Sequence, residues 1–173
     1  DIRIAGIPSK DVVSIPGSDT VAISPKTFRG VKPKRMVSEG DRVQIGSPLF
    51  FDKTKPEVKW ASPANGTVQT IQFGARHVIE KIEIKIEGTD SISGQSFSSD
   101  QFASSDRPTI LNRILKANLF PLIRQRPFNK VANPKDSPRD IFISAVNTAP
   151  LSVDLESVLE SEKMAFQAGV TAL

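Results

Sequence analysis

Between His77 and Gly88 apolar and charged residues alternate, with Ile82, Ile84 and Ile86 on one face and Glu83, Lys85 and Glu87 on the other. A period of two belongs to a strand with one face in a core, because successive side chains point to opposite sides of a sheet. Upstream, "VSEGDRVQIGSPLFFD" from Val37 breaks into short β-rich pieces at Gly40-Asp41 and Gly46, with Pro48 ahead of an apolar run. This punctuation predicts hairpins. After the polar tip "KTKPE" comes "VKWASPANGTVQTI", in which Asn65-Gly66 is a two-residue turn signal, glycine taking positive φ at low cost.

The period changes after a Ser-rich connector over 91–105. In "DRPTILNRILKANLF" the residues Ile110, Leu111, Ile114, Leu115 and Leu119 recur at helical spacing. Ser105 or Asp106 can cap this helix and Pro108 lies in its first turn. Pro121 limits it, and "RQRPFNKVANPKDSPRD" reads as an extended loop with three prolines. "DIFISAV" is a continuous apolar run that suits a buried strand of a parallel sheet. A helix is predicted to follow, with Asp154 as N-cap and Leu155, Val158, Leu159, Phe166 and Val170 near a 3.6 period.

The predicted organisation is therefore mixed α+β: a β-rich domain over 1–92, a linker over 93–105, and over 106–173 a helix plus the first strand and helix of an α/β, Rossmann-like unit. One strand and one helix cannot close a doubly wound sheet. The chain opens on Asp1 without a methionine and stops at what looks like the end of a helix, so it reads as a fragment.

Composition narrows the function classes. With 173 residues and 38% hydrophobic content the chain can bury a real core. Its 23 Lys and Arg against 19 Asp and Glu give a net charge of +4, spread along the chain, which does not imply nucleic acid. Lys32, Lys34 and Arg35 form a local basic cluster, either a solvated loop or a site for an anionic ligand or membrane surface. The absence of cysteine excludes disulfides, thiol catalysis and Cys-held metal centres within this sequence. His77, the single histidine, has no acidic partner at ligand spacing and reads as structural or surface. Ser104, Ser105 and Asp106 lack a positioned base, and Glu156 and Glu160 read as a solvated helix face. The longest apolar runs fall far short of the roughly 20 residues that span a bilayer, so any membrane role is expected to be peripheral.

The order V-x-x-G-D-x-V-x-x-G-x-x-L from Val37 to Leu49, followed by S-P-x-x-G-x-V from Ser62 to Val68, resembles the biotinyl/lipoyl barrel-sandwich pattern. Carrier domains of that kind hold their cofactor on a lysine at the hairpin tip. Lys53 and Lys55 lie near the tip here, but without the flanking Met-Lys-Met or Asp-Lys-Ala signature, so an unmodified hairpin is expected.

"DIRIAGIP", "GVKPKRMVSEGDRV", "FFDKTKPEVKWASPANGTV", "RPFNKV" and "IFISAVNTAPL" occur in one order. Together they resemble the family formed by the A subunits of bacterial sodium-translocating NADH:quinone oxidoreductases, over essentially the whole chain. The resemblance implies a peripheral subunit on the cytoplasmic side of the bacterial inner membrane, in a complex that passes electrons from NADH to quinone and pumps sodium. It also implies that flavins and the iron–sulfur centre sit on other subunits, with no cofactor in this chain, while this one is associated with quinone.

The second half is similar, more distantly, to the C subunit of Rnf-type complexes and to the flavin-carrying subunit of respiratory complex I. Those relatives follow the helix with a glycine-rich loop whose backbone N–H groups approach a flavin phosphate. Here no glycine occurs between Leu119 and Pro134, and "NTAP" stands where the relatives place acidic residues near E-C-E-P. Side chains at those positions block close backbone approach, so neither FMN nor NADH is expected to bind.

A loop that cannot hold phosphate can still hold a neutral planar molecule. Arg124, Arg126 and Lys130 can donate to quinone oxygens, and Phe128, beside Pro127, can stack on the ring. Phe28, Arg29, Gly30 and Val31 form a second candidate segment. Two alternatives remain open: a scaffold that docks other subunits through the same arginine-rich, apolar residues, and a biotin- or lipoate-type carrier.

Overall fold

A computed structural model of the chain describes residues 13–94, 101, 104–147, 149 and 152–173. The chain divides into two compact units, one of them Ser18–Arg139. "DIRIAGIP", most of the Ser-rich connector and most of "TAPL" lie outside the described residues.

In the larger unit seven strands form two antiparallel sheets. They are β1 (Thr20–Ile23), β2 (Pro33–Arg35), β3 (Arg42–Val43), β4 (Pro48–Asp52), β5 (Lys55–Ala61), β6 (Gly66–Phe73) and β7 (Ile79–Ile86). The orders are β1-β7-β6-β3 and β2-β4-β5. This is the barrel sandwich that the sequence predicted, and its core lies between the sheets. Leu49, Phe50, Val58 and Trp60 meet Val43, Val68, Ile71, Ile79, Ile82 and Ile84 there. β7 presents Ile82 and Ile84 inward as its alternation requires, while Ile86 runs out to the surface.

One β-bulge explains a pattern that alternation alone does not. Val68 and Ile71 are three residues apart, so an unbroken strand would point them to opposite faces. The register shifts between Val68 and Thr70, and both pack inward opposite Ile84 and Ile82.

Asn65-Gly66 is not a hairpin turn, which corrects the expectation drawn from the dipeptide. β5 pairs with β4, whereas β6 pairs with β7 and β3, so Ser62–Asn65 carries the chain from one sheet to the other. Ser62 is buried, and its Oγ donates to the Ala64 carbonyl at 2.7 Å. Glycine is needed at 66 because a Cβ there would lie 1.8 Å from the Lys85 carbonyl oxygen.

Helix α1 (Arg107–Lys116) begins where Asp106 accepts from the Thr109 N–H at 3.1 Å. It stops before Pro121. Asn118 takes φ 57°, Leu119 N–H donates to Ile114 O and Asn118 N–H to Leu115 O, the paired bonds of a Schellman motif. Leu119 is thus beyond the helix and 51% exposed, not part of its apolar stripe. Leu111, Ile114 and Leu115 pack against the barrel core, and the Asn118 side chain donates to Gly46 O at 3.0 Å. The segment predicted as an extended loop folds into a short hairpin of β8 (Arg124–Gln125) and β9 (Lys130–Val131), anchored by buried Phe120, Pro121 and Val131.

In the other unit, the run Ile141–Val146 forms no strand, contrary to the buried strand predicted for it, and Phe142 is 90% exposed. A parallel strand forms only where a neighbour presents N–H and C=O groups in register, and the described residues of this unit supply none. Asp154 caps as expected, accepting from Glu156 N–H at 3.2 Å. The helix is broken into α2 (Leu155–Leu159), a 3₁₀ turn over Glu160–Glu162, and α3 (Lys163–Ala172). Among the described residues no helix is long and apolar enough to cross a membrane.

Candidate functional site

Two tight backbone structures on the barrel position the candidate residues. A 3₁₀ turn over Pro25–Thr27 leads into Phe28, whose carbonyl accepts from Val31 N–H at 3.3 Å. Gly30 sits in the third position of that turn at φ +80°, which a side chain resists. The segment is pinned to β7, where Ser24 Oγ donates to Glu80 O at 2.7 Å and Lys26 pairs with the Glu80 carboxylate.

The second structure is the β8–β9 hairpin. Its tip runs from Arg126 to Asn129, with a cis Arg126–Pro127 peptide and Asn129 at φ 51°. Its base is tied to the barrel by Lys55, whose ammonium donates to Val131 O at 3.2 Å and Ala132 O at 3.3 Å. In the sequence Lys55 stands out only as a carrier-type lysine. Its engagement with a segment far along the chain has no local signature.

The fold brings part of the predicted set together. The Arg124 guanidinium lies 5.0 Å from the Phe28 ring centroid, and the Lys130 stem passes Gly30, where an added Cβ would meet Lys130 Cε at 3.7 Å. Beneath Phe28 the aromatic contacts continue inward. Phe28 meets Trp60 edge-on at 5.2 Å, and Trp60 stacks on Phe50 at 4.8 Å and 10°. Trp60 and Phe50 are not legible as site residues in the sequence because an aromatic in a strand signals core by default.

The rest of the set stands apart. Arg126, Pro127 and Phe128 occupy the exposed hairpin tip, Phe128 being 58% exposed with the Lys130 ammonium 5.6 Å from its ring centroid. Two shallow clefts of about 210 Å³ each flank the Phe28 turn and share Arg29, Gly30 and Val31 as walls. The first adds Asp52, Lys55 and Lys130, the second Lys26, Phe28 and Ile79. Asp52 is buried, and its Oδ1 accepts from the N–H groups of Lys32 at 3.2 Å and Thr54 at 3.0 Å. Among the described residues none of Arg29, Arg124, Arg126 and Lys130 is ion-paired, so their N–H donors remain available to a ligand or partner. No group of three or more His, Cys, Asp or Glu that could hold a metal occurs among the described residues.

This surface combines hydrogen-bond donors with aromatic faces, a chemistry suited to a planar molecule carrying acceptor oxygens.

Comparison with known proteins agrees with the architecture. Residues 1–87 match the family described as the NqrA N-terminal barrel-sandwich hybrid domain, and residues 105–173 the NqrA second alpha/beta domain. The chain is 35% identical over all 173 of its residues to the A subunit of the Na(+)-translocating NADH-quinone reductase of Klebsiella pneumoniae (strain 342), covering 39% of that protein. It is 34% identical to the corresponding protein of Pseudomonas aeruginosa (strain UCBPP-PA14) and 35% to that of Saccharophagus degradans, in each case over all of this chain and 39% of the relative. It therefore spans about two fifths of the length of these relatives. With the barrel-sandwich match extending over half of its length and the two packed sheets in place, the chain belongs to the NqrA family.

Proposed function

We propose that this chain is part of a peripheral subunit of a sodium-translocating NADH:quinone oxidoreductase, and that it contributes to quinone binding at the face shared by the Phe28 turn and the β8–β9 hairpin. The observation that carries this reading is the placement of Arg124 over Phe28, which joins two segments distant in sequence into one surface of donors and rings. A quinone offers acceptor oxygens and a flat apolar ring, and Arg124 and Lys130 supply donors around the Phe28 turn. Flavins and the iron–sulfur centre belong, in this reading, to other subunits, and the chain lies on the cytoplasmic side of the bacterial inner membrane. The homologues' names, as subunits of an NADH-quinone reductase, support the complex.

Binding of a short-tailed ubiquinone by equilibrium dialysis tests the reading. Arg124→Ala with Lys130→Ala is expected to weaken it about 10-fold, the scale of a lost cation–π contact and hydrogen bond. Unchanged affinity in the folded double variant removes quinone from this face.

A second reading, docking of another protein of the complex, is favoured by the hairpin tip, where Phe128 and Arg126 are exposed, and by Leu122, 76% exposed in the turn that leads into the hairpin. Interfaces enrich aromatic residues and arginine. Phe128→Ala that leaves quinone affinity intact but loosens the complex in a pull-down of its subunits supports docking at the tip.

A further inference from the structure

Trp60 is 2% exposed, and its indole Nε1 is the one fully buried side-chain nitrogen or oxygen without a hydrogen-bond partner among the described residues. Buried donors are nearly always paired, because an unpaired one has lost its water and gained nothing in return. Packing alone does not require the N–H, since the stack on Phe50 needs only an aromatic face.

The two aromatic neighbours of the indole differ in how firmly they are held. Phe50 is fully buried within β4. Phe28 is half-buried, lies in a turn outside the strands, and forms part of a cleft wall. Of these two sides, the one that Phe28 covers is where a ligand can reach Trp60 without unpacking the core.

The clefts point to the same place. At about 210 Å³ each, both fall below the roughly 300–1,000 Å³ of ligand pockets, and the turn from Phe28 to Val31 contributes walls to both. That turn begins at Phe28, which is a wall of the second cleft and packs edge-on against Trp60. The slot vacated by the Phe28 ring has Trp60 on one side, with ring centroids 5.2 Å apart, and the Arg124 guanidinium at 5.0 Å from the ring centre on another. A benzoquinone ring matches a phenyl ring in size and carries carbonyl oxygens at opposite ends.

We propose that Phe28 is a placeholder for the quinone headgroup, and that the indole N–H of Trp60 is a concealed donor to one quinone carbonyl when the ring of Phe28 gives up its slot. This rests on the quinone reading above and adds to it a buried binding residue and a reason for the small clefts.

The test replaces Trp60 with 3-benzothienylalanine, which keeps the bicyclic shape and substitutes sulfur for N–H. The free protein is expected to melt at or above the wild-type temperature, having shed an unpaired donor, while its Kd for a short-tailed ubiquinone rises about 3- to 10-fold. Phe28→Ala, which empties the slot in advance, is expected to bind at least as tightly as wild type. Trp60 is also the single tryptophan of the chain, so quinone in the slot quenches its emission with the midpoint found by dialysis. Quinone binding to wild type with an unchanged Kd in the benzothienylalanine variant overturns this inference and leaves the quinone reading standing. No binding to wild type overturns both.

Discussion

The guanidinium of Arg124 lies 5.0 Å from the ring centroid of Phe28, and through it a β-hairpin in the last third of the chain touches a turn near its start. The pair is exposed on the arginine side and half-buried on the phenylalanine side, so its attraction is partly screened. A double-mutant cycle of Arg124→Ala and Phe28→Leu is expected to give a coupling energy of about 0.5–1 kcal/mol in urea denaturation. The same cycle with Arg126→Ala should give a coupling near zero, because Arg126 stands at the hairpin tip. Equal coupling for both arginines would contradict the geometry.

Gly66 is required by contact rather than by turn chemistry. Gly66→Ala places a Cβ 1.8 Å from a backbone carbonyl of the neighbouring strand, where no side chain can swing away. The expected loss is about 3 kcal/mol or more, seen as a lowered urea midpoint or failure to fold. A substitution at Gly17, which has open space around it, is expected to change stability little.

Lys55 acts as a strut between the barrel and the hairpin. Lys55→Met removes both bonds to the Val131 and Ala132 carbonyls and is expected to cost about 1–3 kcal/mol. Hydrogen exchange of the amides from Arg124 to Val131 should accelerate more than that of the Ile82 and Ile84 amides in β7. Uniform acceleration would mean that Lys55 supports the whole barrel rather than the hairpin.

Asp106 gives α1 a pH dependence. Hydrogen bonds from the Thr109 side chain and N–H hold its carboxyl below the ordinary value of 3.8. A depressed carboxyl stabilises the fold in full above its unfolded value and loses that contribution as pH falls through the lower folded value. Asp106→Ala should thus lower the melting temperature near neutral pH, with the gap to wild type narrowing below pH about 4 as the wild-type carboxyl protonates. Asp106→Asn, which keeps an acceptor, should show a smaller and flatter difference. A gap that widens on acidification would contradict the sign.

Local signals in the sequence settled local structure. The alternation of Ile82, Ile84 and Ile86 specified β7, and Asp106 with Leu111, Ile114 and Leu115 specified α1 and its buried face, because period and capping act over a few residues. The spaced glycines and prolines from Val37 to Val68 marked the barrel sandwich, and five stretches in one order along the whole chain carried the family. Where a local signal admitted two tertiary uses, it misled. Asn65-Gly66 reads as a hairpin turn but carries a crossing between sheets, and Pro121 reads as the helix terminator although Asn118 had already ended α1. Continuous apolarity in Ile141–Val146 does not make a strand without a neighbour to complete its hydrogen bonds.

The candidate site was legible as residue types and not as an arrangement. Phe28, Gly30, Arg124 and Lys130 stand out by their chemistry. Their meeting, the separation of Arg126 and Phe128 from them, and the roles of Lys55 and Trp60 depend on contacts between segments far apart in the chain. Such contacts are decided by how the two sheets close and where α1 docks, since burying Phe120 and Val131 against the barrel is what carries the hairpin to the Phe28 turn. The backbone pattern of any one segment contains no record of that choice, and it is made when the segments pack.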